Sequence, residues 1–235
     1  MKRLALALPA EQVPFARGVA VSDRVVRQPR AWASSASMAD LAAKTIVVSL
    51  FSLMAFRLAN DWLVTGHLTG LLLLASESLV VALTLIRRSA TTVDRAWAAR
   101  LLTGFSTFGP NLVVPLAAGA LAPERVTLAI CGAGLLVVVL GKVSIGRSFG
   151  LAPANRGIVS AGLYRFVRHP IYLGYLTTHT GFALANPSAW NFMVLAAADI
   201  ALLFRAVREE RTLTLDEAYR SYAARVRWRI MPGLF

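Results

Sequence analysis

The stretch GIVSAGLYRFVRHPIYLG, residues 157–174, decides how the C-terminal part of the chain is built. Pro170 has a fixed φ and no N–H, so it suits the first position of a helix and disfavours the α conformation just before it. We therefore expect His169 to cap a helix that starts at Pro170. A helix start offers N–H groups and a positive dipole, to which Arg165 and Arg168 add charge. This pattern favours an anion site, although arginines also mark the cytoplasmic ends of membrane helices.

A second charged group, REER at 208–211, follows the next apolar segment. The apolar segments 170–185 and 188–207 are joined by only two residues, which predicts a tight antiparallel helical hairpin. Helices joined at one end have their other ends adjacent, so Glu209 and Glu210 should lie close to His169. Two neighbouring carboxylates can neutralise a cation or accept hydrogen bonds, but they also occur as solvated charge pairs at an ordinary helix end.

Composition places the whole chain in the membrane class. Of the 235 residues 57% are hydrophobic and 16% are charged, and the mean hydropathy is +0.60, unlike a soluble domain. Six apolar segments have roughly the length of membrane helices. They are 41–59, 69–86, 101–122, 126–143, 170–185 and 188–207. The fold expected from this pattern is an all-α integral membrane bundle of about six helices.

The positions of the Lys and Arg residues support this count. They number six before the first segment, four in 87–100, five in 142–168 and seven from 205 onward, which is 22 of 25. The connections on the other side carry only Arg125. Such alternation predicts a multi-pass protein with both termini in the cytoplasm. Its organisation would be a basic arm over 1–40, four helices over 41–143 and a C-terminal unit over 144–235.

The charged and metal-ligating residues exclude several other functions. The chain has one cysteine and three histidines that lie far apart in the sequence. This pattern does not favour a metal site, because protein metal sites are usually built from several closely spaced cysteine and histidine ligands. The net charge of +13 is explained by anionic lipid headgroups, so membrane lipids are expected partners and nucleic acid is not.

Some ionisable residues fall inside the predicted spans. Lys44, Arg57 and Arg205 lie near helix ends, from which long side chains reach the interface. Asp199 shares a helix face with Glu210 and is a candidate for substrate binding, although pairing with His179 across the hairpin is the favoured interpretation. Glu77 is expected to form a hydrogen bond with a neighbouring helix.

The run Arg168-His169-Pro170-x-Tyr172-x-Gly174, with a Glu-Glu pair about forty residues later, resembles the isoprenylcysteine carboxyl methyltransferase family. Phospholipid N-methyltransferases look related through the same part, and the resemblance covers residues 142–232. One departure is visible. The family commonly has a Phe-Gly pair between the glutamates and two tyrosines, and here the segment 213–219 is shorter and lacks that glycine.

The resemblance implies a membrane methyltransferase that uses S-adenosylmethionine. Its pocket would lie at the cytoplasmic side, formed by the hairpin, the preceding loop and the C-terminal segment. It implies Arg168 and Glu210 as catalytic residues. The residues expected to bind the cofactor are Tyr164, His169, Pro170, Tyr172, Gly174, Glu209 and Glu210. Those expected to bind the substrate are Arg168, Asp199, Tyr219 and Tyr222, and no metal is expected.

The acceptor stays open between several lipophilic molecules. A carboxylate is deprotonated at neutral pH and needs no general base, so the scarcity of candidate bases favours O-methylation of an isoprenylcysteine-like carboxylate. A phospholipid or other amphiphilic amine is the alternative. Two further alternatives are a sterol-reductase-like oxidoreductase, for which no G-x-G-x-x-G fingerprint is present, and a non-catalytic lipid-binding protein.

Overall fold

The computed structural model describes residues 25–27, 38–65, 68–114 and 119–234. Seven helices and three short strands follow one another in this part of the chain. The helices are α1 (Met38–Thr65), α2 (Leu68–Ile86), α3 (Trp97–Phe108), α4 (Glu124–Ile145), α5 (Pro170–Ala185), α6 (Ala189–Leu213) and α7 (Glu217–Arg225). The strands are β1 (Val25–Arg27), β2 (Thr92–Asp94) and β3 (Ala154–Asn155). Helix dominates, as the sequence predicts.

Within the described residues, two helical stretches are long and apolar enough to cross a bilayer. They are Glu124–Ser148 and Ala189–Leu213, of 25 residues each. The apolar helix Leu73–Ile86 is shorter, and α3 and α5 have 12 and 16 residues, fewer than the roughly 20 that span a bilayer. The number of six spans and the sidedness of the termini therefore stay predictions.

Large apolar side chains cover the outer faces of α4 and α6. On α4 the exposed ones include Leu128, Leu136, Leu140 and Val143, and on α6 they include Phe192, Met193, Ile200 and Phe204. Soluble monomers rarely expose contiguous apolar surface of this extent. These faces suit contact with lipid tails.

The third predicted span is corrected by the structure. One membrane helix over 101–122 was expected. Instead α3 ends at Phe108 and a 3₁₀ turn, Gly109–Leu112, follows with Pro110 inside it. A proline in a helix interior removes a backbone hydrogen bond and clashes with the preceding turn, so the α-helix ends before Pro110. Pro115 lies outside the described residues.

A small antiparallel sheet departs from the all-α expectation. Its strand order is β1-β2-β3, with Val93 opposite both Val26 and Ala154. The sheet joins the α2–α3 connection to the long connection between α4 and α5. The sheet also contains Val25–Arg27, which belongs to the predicted basic arm. Residues 1–24 and 28–37 of that arm lie outside the described residues.

Side chains of this sheet hold the end of α6 and the start of α7. Arg208 donates to Asp94 Oδ2 through Nε at 2.9 Å and Nη2 at 2.7 Å. Asn155 Nδ2 donates to Asp216 Oδ2 at 2.8 Å. The sheet therefore fixes the C-terminal end of α6, where the Glu-Glu pair lies.

The helix pair α4–α5 packs closely because glycines face each other. A β-carbon built on Gly174 would lie 2.7 Å from the carbonyl oxygen of Gly134, and one on Gly141 would lie 2.8 Å from Ile171 Cγ1. Small residues let helix backbones approach in membranes. α5 packs more extensively against α4 than against α6, its partner in the hairpin.

Replacing a packing glycine should therefore destabilise the protein. In Gly134→Ala the new methyl group would lie 2.6 Å from the Thr178 backbone nitrogen and 2.8 Å from the Gly174 carbonyl oxygen. Overpacking of this kind costs about 1–3 kcal/mol. Gly132→Ala on the same helix is the matched control, because no atom lies within 4 Å of its β-carbon position. Unfolding in detergent should separate the two variants, and equal stability would contradict this packing.

Candidate active site

The start of α5 is built as the sequence predicts. His169 is the N-cap with φ −129°, and Pro170 occupies the first turn. The amides of Tyr172 and Leu173 both donate to the His169 carbonyl at 3.1 Å. Fewer N–H groups are therefore free at this helix start than was predicted.

The C-terminal segment pairs with the backbone just before α5. The amide of Arg168 donates to the Trp228 carbonyl at 3.0 Å, and that of His169 donates to the Arg229 carbonyl at 2.7 Å. The Tyr222 hydroxyl donates to the Tyr164 carbonyl at 2.7 Å. These bonds close the chain after α7 over the mouth of α5.

Glu210 is the centre of an ion-pair cluster. Its Oε2 accepts from Arg168 Nη1 at 3.2 Å and from Arg229 Nε at 2.8 Å. Its Oε1 lies 3.2 Å from His169 Nε2. The Glu210 side chain is only 8% exposed, so three groups from two segments compensate a nearly buried carboxylate.

Glu209 has different surroundings. Its Oε2 accepts from the Tyr172 hydroxyl at 2.7 Å, and no partner of Oε1 is seen in the part of the chain that the structure describes. The Tyr172 ring stacks on His169, with the centroids 5.1 Å apart, and faces the guanidinium of Arg205, whose Cζ lies 5.3 Å from the ring centroid. These contacts confirm that the two motifs lie close together, as predicted. Glu210 contacts arginine and histidine side chains, whereas Glu209 contacts the Tyr172 hydroxyl.

Three buried tyrosines line the closed mouth. The Tyr219 and Tyr222 rings are 5.8 Å apart. Burial raises the pKa of Tyr222 to about 12 and raises the pKa values of Tyr164 and Tyr219 as well. All three hydroxyls therefore stay protonated near neutral pH and can act as hydrogen-bond donors.

A cavity of about 690 Å³ extends from this mouth into the helix bundle. Its polar end includes Tyr164, Arg168, His169, Tyr172, Arg205, Glu209, Tyr219 and Tyr222. Its apolar part includes Phe51, Met54, Val80, Leu135 and Leu195, and Glu77 and His179 also line it. The arrangement can hold a molecule that is polar at one end and lipophilic at the other.

Four of the predicted site residues do not line this cavity as the described residues form it: Pro170, Gly174, Glu210 and Asp199. Gly174 packs against α4 instead. Asp199 Oδ1 lies 2.5 Å from His179 Nδ1, which confirms the pairing across the hairpin that was favoured for these two residues.

Two buried cations were missed by sequence reasoning. Arg205 was expected to reach the interface but is only 7% exposed. Lys142 was counted among the loop charges but is fully buried, and its Nζ donates to the carbonyl and the hydroxyl of Ser76 at 3.0 and 2.7 Å. For Glu77 the described hydrogen bond is with Ser76 on its own helix, at 3.3 Å. The spacing of Arg205 one turn before Glu209 was a usable signal.

Comparison with known proteins gives one family match, in the C-terminal part of the chain. No curated protein matches the chain. The family described as phospholipid methyltransferase matches residues 126–221, from the start of α4 to within α7. That stretch contains both motifs, and the matched family is one of membrane methyltransferases related to the isoprenylcysteine carboxyl methyltransferases that the sequence resembles. The matched region, which includes the whole hairpin of α5 and α6, is therefore similar to a family of membrane methyltransferases.

Proposed function

We propose that the protein transfers a methyl group from S-adenosylmethionine to a carboxylate on a lipophilic, isoprenylcysteine-like acceptor. The observation that carries the proposal is the continuous cavity, whose polar end lies at the two methyltransferase motifs and whose other end is apolar. The family match favours this class over an oxidoreductase or a non-catalytic lipid-binding protein.

The residues at the polar end fit the proposed methyl donor. S-adenosylmethionine carries an ammonium, a carboxylate and ribose hydroxyls. Glu209 lines the cavity and has a carboxylate oxygen to spare, so it would accept from the ammonium or the hydroxyls. Tyr164, Tyr172 and His169 offer aromatic surface at the same end, and the two tyrosines also carry hydroxyl groups there. Glu210 would act through Arg168 and His169, whose positions it fixes.

The chemistry requires little from the protein beyond positioning. When bound, the donor supplies an electrophilic methyl group, whose carbon bonds to an acceptor oxygen while the electrons of the broken C–S bond stay on sulfur. A carboxylate acceptor releases no proton, so no general base is needed. What the chain contributes is alignment of the two molecules and a cavity that is mostly apolar, which limits water at the reacting groups. The backbone bonds of Arg168 and His169 to the C-terminal segment hold that segment beside the start of α5.

The lipophilic part of the acceptor would occupy the apolar part of the cavity. The side chains there come from α1, α2, α4 and α6, and they include Phe51, Val80, Leu135 and Leu195. Burial of hydrocarbon contributes about 25 cal/mol per Å². A prenyl or acyl chain would therefore provide most of the binding energy and would place the reactive group at the polar end.

A second acceptor class is favoured by the description of the matched family. A phospholipid amine is the acceptor that this description suggests. It would have to lose a proton before or during transfer, unlike a carboxylate, so its rate should rise with pH through the pKa of the amine. The pH dependence of transfer to each acceptor distinguishes the two classes.

Purified protein in detergent, incubated with radiolabelled S-adenosylmethionine, tests the proposal. N-acetyl-S-farnesylcysteine and phosphatidylethanolamine are the two acceptors to compare. Base-labile radiolabel in the farnesylcysteine fraction is expected, because a methyl ester hydrolyses in base. Base-stable label in the phospholipid would establish the amine acceptor instead. Label in neither fraction, nor in total membrane lipid, would overturn methyl transfer to a lipid.

Substitution of Arg168 should lower turnover more than donor affinity. Its Nη1 donates to Glu210 and its Nη2 to the Arg227 carbonyl at 3.3 Å, so it holds the C-terminal segment over the site. We expect Arg168→Ala to lower kcat by about tenfold or more, because loss of a charge-assisted hydrogen bond costs about 1.5–3 kcal/mol. Arg168→Lys should also be impaired, since one ammonium cannot reproduce the planar fork. A fully active lysine variant would leave only an anchoring role.

A further inference from the structure

A second cavity, which we call the outer groove, lies between α5, α6 and the C-terminal segment. Its volume is about 610 Å³, and every side chain that lines it among the described residues is apolar. α5 contributes Leu176, α6 contributes Ile200 and Val207 among others, and the C-terminal segment contributes Ile230 and Leu234. Because α5 packs mainly against α4, its contact with α6 leaves room for this groove.

The outer groove is separate from the cavity of the candidate active site. The two share no lining residue. On α6, Arg205 and Glu209 line the first cavity, whereas Ile200, Phe204 and Val207 line the outer groove. At about 100° per residue these two sets point in nearly opposite directions. Ile200 is 53% exposed and Phe204 is 60% exposed, so the groove faces the surroundings of the hairpin.

Arginines lie around the end of the outer groove at the C-terminal end of α6. Arg211 follows Val207 by four residues, which places it one turn further along the same helix face. Arg227 lies three residues before Ile230, in the segment that forms another wall, and its guanidinium lies over the Trp228 ring. Both arginines are exposed. In the described part of the chain no carboxylate lies within ion-pair distance of either, so both charges are uncompensated.

The order of apolar groove and arginines matches that of a lipid leaflet. The stretch Ala189–Leu213 is long and apolar enough to span a bilayer, and Arg211 lies near its end. Four helical residues rise about 6 Å, so Arg211 lies about that far beyond Val207 along α6. Hydrocarbon in the groove would therefore be followed by a headgroup at the arginines.

We propose that the outer groove binds an acyl chain of an anionic phospholipid whose phosphate is held by Arg211 and Arg227. A headgroup with a net negative charge suits this site better than a zwitterionic one, because the site offers two cations and no described carboxylate to receive an ammonium. The lipid is a ligand outside the candidate active site, and its binding does not depend on the proposed function.

This lipid would also hold the C-terminal segment against the hairpin. The segment forms one wall of the groove through Ile230 and Leu234. Just before that wall, the carbonyls of Trp228 and Arg229 accept from the two backbone amides that precede α5. A molecule that contacts α6 and the segment together should therefore make these two hydrogen bonds open less often.

Native mass spectrometry of the delipidated protein in non-ionic detergent tests the binding, without methyl donor or acceptor. Dioleoyl phosphatidylglycerol and dioleoyl phosphatidylcholine are compared, because their acyl chains are identical. Wild-type protein should bind the anionic lipid at least about fivefold more tightly, the effect of one arginine at headgroup level. Arg211→Gln should lose most of that preference.

Two matched controls separate the headgroup site from the groove. Arg125→Gln should keep the preference, because Arg125 is exposed at the start of α4, near the end of the hairpin where α5 and α6 are joined. Ile200→Trp should weaken binding of both lipids several-fold by filling the groove. Met193→Trp should not, because Met193 is exposed on the same helix and does not line the groove.

Hydrogen exchange of the Arg168 and His169 amides measures the effect on the segment. Phosphatidylglycerol should slow this exchange several-fold in wild-type protein but not in Arg211→Gln. Equal affinity for the two lipids, an unchanged preference in Arg211→Gln, or unchanged affinity in Ile200→Trp would overturn the binding site. Equal exchange with and without lipid would overturn its effect on the segment. Dimer masses without bound lipid would assign the groove to a second copy instead. None of these results bears on methyl transfer, which is not measured.

Discussion

Glu210→Ala is expected to lower the free energy of unfolding by about 3–5 kcal/mol, because it leaves buried charge without its counter-ion. The Glu210 side chain is 8% exposed and compensates Arg168, which is 12% exposed, at 3.2 Å. It also accepts from Arg229 and lies beside His169. Removing it would also loosen the C-terminal segment, because the Arg229 contact is lost while the backbone bonds of Arg168 and His169 remain, so donor binding should weaken as well.

Denaturant unfolding in detergent, followed by tryptophan fluorescence, measures this effect. Glu217→Ala is the control, because Glu217 is exposed in the first turn of α7 and its loss should cost less than about 1 kcal/mol. Glu210→Gln should fall between the two, since it keeps a hydrogen-bond acceptor and loses the charge. Stability of Glu210→Ala within 1 kcal/mol of wild type, on the order of ordinary surface substitutions, would contradict a structural role for the cluster.

The parts of the site that the sequence predicts correctly are those fixed by local chemistry. Pro170 cannot donate a backbone hydrogen bond, and this alone determines where α5 starts. The short connection of the hairpin, residues 186–188, brings Glu209 within 2.7 Å of Tyr172 and Glu210 within 3.2 Å of His169. Both features need only geometry over short stretches of chain.

The parts that the sequence did not predict depend on contacts between distant segments. The sheet pairs Thr92–Asp94 with residues near 25 and 154, and such short strands have no periodic pattern. Hydropathy cannot say on which side of a helix Lys142 or Arg205 lies, so Lys142 was counted with a loop and Arg205 was assigned to the interface. For the same reason the sequence could not tell which residue of the Glu-Glu pair faces the cavity, because adjacent residues on a helix point in directions about 100° apart.

Glu209→Ala should weaken S-adenosylmethionine binding by at least tenfold while leaving the protein nearly as stable as wild type. Glu209 lines the cavity, and its one described hydrogen bond is to the Tyr172 hydroxyl. A charge-assisted hydrogen bond in a partly desolvated site contributes about 1.5–3 kcal/mol, which corresponds to roughly 10–150-fold in affinity. No buried cation in the described part of the chain depends on Glu209, unlike Glu210, so the fold should survive.

Calorimetry of S-adenosylmethionine binding in detergent, with Tyr172→Phe as the matched control, isolates the role of Glu209. Tyr172→Phe removes the hydroxyl that donates to Glu209 but keeps the ring that stacks on His169. If Glu209 contacts the donor directly, Tyr172→Phe should lose only a few-fold in affinity, the order expected from one neutral hydrogen bond. Glu209→Gln should lie closer to Glu209→Ala, because the ammonium requires a negative charge. Wild-type affinity in Glu209→Ala would show that the donor binds elsewhere. An equal loss of affinity in Tyr172→Phe would show that Glu209 acts only as a support for Tyr172.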